Sequence, residues 1–87
     1  MAIYENKVTG ELVQSYKFTG ENRDFIKDKL LTECHFTEVD AEFALSNMRT
    51  DDVIVVEHDE KGPNPEYWYV VRDDTFLEFY EPFTIKG

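Results

Sequence analysis

At 87 residues, with 41% apolar and 15% aromatic content, the chain reads as one small domain with too much apolar mass for disorder. Its formal net charge of −10 argues against direct contact with nucleic acid or an anionic membrane, both of which want clustered Lys/Arg. The start "MAIYENKVTGEL" lacks a signal-peptide pattern, no stretch approaches ~20 apolar residues, and Cys34 is the one cysteine, which together predict a cytoplasmic protein without disulfides.

The first segment, "ENKVTGEL", reads as a turn around Thr9-Gly10. "LVQSYKF" then alternates, and Tyr16 and Phe18 give the apolar face of a first strand. "TGEN" breaks that strand and opens a helix, with Thr19 or Asn22 expected as the side-chain cap. Phe25, Ile26, Leu30 and Cys34 follow three-to-four spacing, so a helix is predicted over about 22–33, docked by its apolar face on a sheet. Glu21 and Asp24 suit its positive end, and Lys27 and Lys29 lie further along.

"FTEVDAEFALSNM" fits two patterns. Val39, Ala41, Phe43 and Leu45 alternate as in a strand, while Phe36, Val39 and Phe43 also fit a helix; the expectation is a strand over about 39–47. "RTDD" is a turn. "VIVVEH" and "EYWYVVR" are predicted antiparallel partners joined by a wide loop, "DEKGPNP", whose Gly62, Pro63 and Pro65 leave no room for a ladder. Both segments are apolar on both faces, as central strands are, so most of Tyr67, Trp68 and Tyr69 is expected to be buried, the alternative being an aromatic patch left open for a partner. "DDTFLEF" reads as a short helix or turn capped by Asp73 or Asp74, with Phe76 and either Phe79 or Tyr80 inward, and "FYEPF" as an edge strand that tolerates Pro82. The fold predicted is α+β: a small curled antiparallel sheet of four to five strands, one main helix on one face, and a short helical turn near the C-terminus.

Little here supports catalysis. Cys34 and His35 are adjacent, so regular structure points them apart, and His58 lies on another element. One Cys and two His fall short of a zinc set. Asp51-Asp52, Asp59-Glu60-Lys61 and Asp73-Asp74 could assist a metal-dependent reaction, yet they sit where acids are ordinary turn residues. Gly10, Gly20, Gly62 and Gly87 are isolated, so no phosphate loop is present. No enzyme, cofactor or metal is expected.

The acidity itself is uneven. Residues 1–37 carry five Lys/Arg against six Asp/Glu, and residues 38–81 carry three against thirteen. Asp40 and Glu42 would share a strand face about 6.6 Å apart. Asp51, Asp52, Glu57, Asp59, Glu60, Glu66, Asp73, Asp74, Glu78 and Glu81 fall at the ends of neighbouring elements. Such a row can imitate a phosphate backbone and be steered toward a basic groove. The plainer reading is a solvated acidic surface with no target.

"SYKFTGEN" (Ser15 to Asn22), "TDDVIVV" (Thr50 to Val56) and "DTFLEFYEPF" (Asp74 to Phe83) resemble, in order and spacing over residues 12–83, a group of short phage and prophage proteins of unassigned function. The chain departs from their pattern in lacking a very basic start, in carrying Asp51 where glycine is expected, and in its long hairpin loop. The resemblance implies a small α+β fold and a phage or prophage origin, with no activity and no catalytic residues attached. Together with the charge it leads to two expectations. The first is a phage-type inhibitor that binds a host protein with a basic, nucleic-acid-binding surface in the bacterial cytoplasm, through Asp51, Asp52, Asp59, Glu60, Glu66, Asp73 and Asp74. The second is a self-associating structural or accessory module that dimerises through the Tyr67/Tyr69 face. A metal-dependent enzyme is a distant third.

Overall fold

Alternation in "LVQSYK" sends Val13 and Ser15 to one side of a strand and Gln14 and Tyr16 to the other, and all four are buried, so the sheet has two covered faces. The computed structural model describes residues 3–83. The elements are β1 (Ile3–Asn6), β2 (Leu12–Lys17), α1 (Arg23–Thr32), α2 (Glu38–Ser46), β3 (Asp52–Asp59), β4 (Gly62–Arg72), α3 (Asp73–Phe79) and β5 (Tyr80–Pro82). The strands form one antiparallel sheet in the order β4-β3-β2-β1-β5, and the fold is α+β.

One face lies under α1 and α2. Ile26 and Leu30 of α1 and Ala41, Ala44 and Leu45 of α2 pack with Tyr16, Cys34, Phe36, Ile54 and Val56. Ile26, Leu30 and Ile54 are fully buried, and each contributes about 1.5–3 kcal/mol by leaving water. The other face carries a smaller cluster, Val13, Val53, Val55 and Phe76, under α3. Phe76 stacks on Tyr80 and meets Tyr4 edge-on, with both centroids 4.9 Å away.

Several sequence expectations are borne out. β2, α1, the β3–β4 pair, the helical turn now seen as α3, and an edge strand holding Pro82 all form. The Thr9-Gly10 turn closes a hairpin, with Asn6 Oδ1 accepting the N–H groups of Val8 and Thr9 at 2.8 and 3.1 Å. Others need correction. β1, whose four residues carry little pattern of their own, pairs with both β2 and β5. The expected strand over 39–47 is α2: Thr37 Oγ1 accepts the N–H of Asp40 at 3.2 Å and starts the helix, with Glu38 and Asp40 in its first turn. Asn22 stands at the start of α1 but does not cap it. Its Oδ1 accepts from Thr19 N and its Nδ2 donates to Lys17 O, which stitches the strand exit to the helix entry. α3 begins after Arg72 with no side-chain cap, so Asp73 and Asp74 are first-turn residues and not caps. Phe79 is exposed.

The "DEKGPNP" loop is also corrected. The ladder runs on through His58↔Pro63 and Asp59↔Gly62, leaving Glu60 and Lys61 as a tight turn, after an irregular stretch in which Glu57 alone stands opposite Asn64, Pro65, Glu66 and Tyr67. Gly62 has φ +115°, which glycine adopts without a Cβ penalty. The prolines fit because β4 is an outer strand, which has a side with no ladder to donate to.

Candidate interaction surfaces

The seven carboxylates singled out above divide between the two ends of the β3–β4 pair. Asp51, Asp52, Asp73 and Asp74 gather where β3 begins and β4 ends. Asp59 and Glu60 lie at the opposite hairpin end, with Glu66 part-way along β4. Asp52 and Asp59 are the two ends of the eight-residue β3, seven steps or roughly 23 Å apart.

At the first end two cations, Lys17 and Arg72, offset part of the charge of the four aspartates. Lys17 Nζ is 3.0 Å from Asp73 and 3.8 Å from Asp51, and the hydrogen bond that the ammonium donates to Asp73 Oδ2 raises the lysine's pKa. Asp52 faces Arg72 across the ladder at 2.8 Å. Asp74 Oδ1 accepts from Thr75 N. Lys17, Arg72 and the carboxylates Asp51, Asp73 and Asp74 line a shallow cleft of about 290 Å³. At the hairpin end Asp59 is structural, accepting from Lys61 N at 2.7 Å and Asn64 Nδ2 at 3.0 Å. Glu57, Glu60 and Glu66 are exposed and make no ion pair among the described residues.

Asp40 and Glu42 do not form the expected strand pair, because both lie on α2. Glu42 binds Arg23 and Lys27, Glu38 binds Lys27 at 3.2 Å, and these contacts fasten α2 to α1; the Lys27 hydrogen bond lowers the Glu42 pKa.

The nucleophile candidates are apart. Cys34 is fully buried, and burial pushes its thiol up to about 11. His58 Nε2 is 3.1 Å from Gln14 Oε1, while Gln14 Nε2 donates to Tyr16 Oη at 3.0 Å, so His58, Gln14 and Tyr16 form a polar chain beneath α1 and α2. Burial raises the Tyr16 phenol far above its ordinary range. Among the described residues no three His, Cys, Asp or Glu side chains converge in a way that could hold a metal ion. A second cleft, about 540 Å³, opens between α1 and the β1–β2 hairpin; Tyr16, Phe25, Lys29 and Glu33 line it.

The most distinctive surface includes the Tyr67/Tyr69 face, expected from the sequence to be mostly buried and, in the self-association reading, to be an interface. β4 borders β3 on one side only. Tyr67 is 57% exposed and Tyr69 37% exposed, because β4 is an edge strand and α3 does not reach over it fully. Tyr69 Oη lies 2.7 Å from Tyr80 Oη, which holds its ring against the sheet. On the helix-covered face Trp68 is half-buried, and Phe43 packs on it edge-on at 6.1 Å while remaining 61% exposed. Val39, one helical turn before Phe43, is 78% exposed. The edge is therefore flanked by apolar side chains on both faces. Helical spacing of Val39 and Phe43 was the available signal for this patch, and the strand reading obscured it.

No helix among the described residues is long and apolar enough to cross a membrane. No family model matches the chain, and searches of curated proteins and of solved structures found no match.

Proposed function

We propose that the chain is a non-enzymatic, phage-type protein that works by binding other proteins, with the outer edge of β4 as its working surface. The observation that carries this is the run Glu66–Arg72: an edge strand without proline, flanked by Tyr67 and Tyr69 on one face and by Trp68, Phe43 and Val39 on the other. Edge strands usually carry features that prevent pairing, and here Pro63 and Pro65 do so only near the hairpin. A partner strand added to the edge would gain main-chain hydrogen bonds, and the flanking aromatics would supply apolar burial. The phage origin rests on the resemblance carried by Ser15–Asn22, Thr50–Val56 and Asp74–Phe83.

A second reading is favoured by the hairpin end, where Glu57, Asp59, Glu60 and Glu66 stand against Lys61 alone. There the chain would inhibit a basic, nucleic-acid-binding host protein by offering it charge in place of phosphate. The pairing of Asp51 and Asp73 with Lys17, and of Asp52 with Arg72, takes three of the seven carboxylates out of this row.

Capture from bacterial lysate separates the two. Edge binding is expected to survive about 0.5 M salt, because apolar contact is not screened, and to disappear in Tyr69→Lys. Charge-driven binding is expected to fade with salt and to disappear in the Glu60→Lys/Glu66→Lys double variant. Binding that is indifferent to all three substitutions would overturn both.

A further inference from the structure

We infer that the occupant of the β4 edge is a second copy of the chain, paired antiparallel with its own β4 and with Tyr69 on the two-fold axis. The inference rests on the binding role proposed for that edge and commits it to one partner and one register.

The open segment has fixed limits. Pro63 and Pro65 have no N–H to give, the Glu66 N–H is held by Asn64 Oδ1 at 2.9 Å, and the chain turns into α3 at Asp73, so the strand available for pairing runs from the Glu66 carbonyl to Arg72, with Trp68–Arg72 its regularly laddered part. Its sequence, "EYWYVVR", is complementary to itself when reversed. With Tyr69 central, Glu66 faces the partner's Arg72, Tyr67 faces the partner's Val71, and Trp68 faces the partner's Val70. The symmetry repeats each pair. Opposite charges and aromatic–β-branched pairs are the cross-strand combinations that stabilise a sheet. Neighbouring registers lose this match. Centring on Trp68 sets Glu66 against valine and Arg72 against asparagine; centring on Val70 sets Glu66 against the partner's Asp74, a like charge. Arg72 is available for the contact: it is exposed, and one guanidinium nitrogen, Nη1, holds Asp52, leaving other donors for a carboxylate.

The faces also agree. Residues directly opposite in an antiparallel pair share a face, so the helix-covered faces of the two copies become continuous. Phe43 of each copy, packed on Trp68, and Val39 one helical turn away from it then lie on the face the two copies share. At about 200 Å² per aromatic side chain, the exposed parts of Tyr67, Tyr69 and Phe43 amount to roughly 300 Å² per copy. With Val39 and the strand backbone added from both copies, the interface reaches on the order of 1,000 Å², the lower end for specific association, so a micromolar dimer is expected. Each copy carries −10, which opposes pairing at long range. Salt screens that repulsion, so the dimer persists at about 0.5 M salt.

The test is sedimentation velocity across a concentration series, combined with cysteine cross-linking; Cys34 is buried and does not compete. Tyr69→Cys is expected to form a disulfide-linked dimer on mild oxidation, since opposed Cα atoms lie about 4.5–5.5 Å apart, within disulfide reach. Tyr67→Cys alone is expected to stay monomeric on a denaturing gel, because its two copies sit four positions apart, roughly 13 Å. Mixing Tyr67→Cys with Val71→Cys is expected to yield a cross-linked heterodimer, which tests the same register without altering Tyr69. Glu66→Arg, which sets two like charges facing Arg72, is expected to weaken the dimer roughly tenfold. Cross-linking of Tyr67→Cys alone would overturn the register, and a monomer at every concentration would overturn the second copy as occupant. If that monomer still captures a lysate protein, and loses it in Tyr69→Lys, the edge remains a binding surface for something else. If capture is unaffected, the binding role fails as well.

Discussion

Arg72 and Asp52 face each other across the last rung of the β3–β4 ladder, and the guanidinium holds a carboxylate that is only 7% exposed. The second oxygen of Asp52 accepts the N–H of Arg49 at 2.8 Å. One carboxylate therefore ties the turn before β3 to the end of β4. Asp52→Ala removes the acceptor from both donors and is expected to cost about 2–3 kcal/mol. Asp52→Asn keeps an acceptor oxygen and is expected to cost less. Chemical denaturation of the three proteins checks the order.

Asp51 has φ +74°, a left-handed conformation that side chains with a Cβ adopt at a cost. Its backbone is fixed there by Asp51 N donating to Phe18 O and Asp51 O accepting from Asp73 N, at 2.8 and 3.0 Å. Asp51→Gly is expected to raise stability by roughly 0.5–1 kcal/mol, since the 3.8 Å contact to Lys17 is exposed and contributes little. An unchanged or lower denaturation midpoint would show that the aspartate makes a contribution beyond its backbone.

Cys34 is expected to be inert in the native protein. Burial holds its thiol near 11, so the reactive thiolate is scarce at neutral pH. Alkylation near pH 8 should run about 100-fold slower in the folded chain than in denaturant, where the thiol has its ordinary pKa. Rapid labelling without denaturant would mean that Phe36 and the α1 C-terminus open readily around it.

His58 gives the fold a dependence on pH. Burial lowers its pKa below the ordinary value of about 6.5, against a weaker upward pull from Asp59. The folded chain then binds fewer protons at this site than the unfolded chain does. The stabilisation by neutral His58 is complete above pH of about 6.5 and is lost as pH falls through the lower folded value. His58→Gln should lack that portion of the decline, and denaturant midpoints measured for both proteins through this interval are the check.

Most of the fold was legible where local pattern and tertiary packing agree. "LVQSYK" alternates because both of its faces are covered, and Ile26 and Leu30 keep helical spacing because one side of α1 docks. α2 misled because two of its four alternating apolar residues, Val39 and Phe43, point outward. They complete a strand-like rhythm without belonging to the core, and Thr37 and the first-turn acids were the better guide. β1 was missed because its pairing with β5 joins residues almost eighty positions apart, which no local window registers. The candidate surfaces were less legible still. Composition located the carboxylates, but Lys17 reaches Asp73 from 56 positions away, and only the folded chain reveals that neutralisation. The exposure of Tyr67 and Tyr69 likewise follows from strand order, because the same segment one place further into the sheet would be covered.

β5 lies against β1, with Tyr4 opposite Pro82, at the margin of the sheet farthest from β4. Affinity tags, fluorophores or surface linkers appended before β1 or after β5 thus depart from a common rim, remote from the Glu66–Arg72 segment. Either attachment point suits immobilisation experiments, and a ligated circle with a new opening in the Val8–Gly10 bend would keep every strand neighbour unchanged.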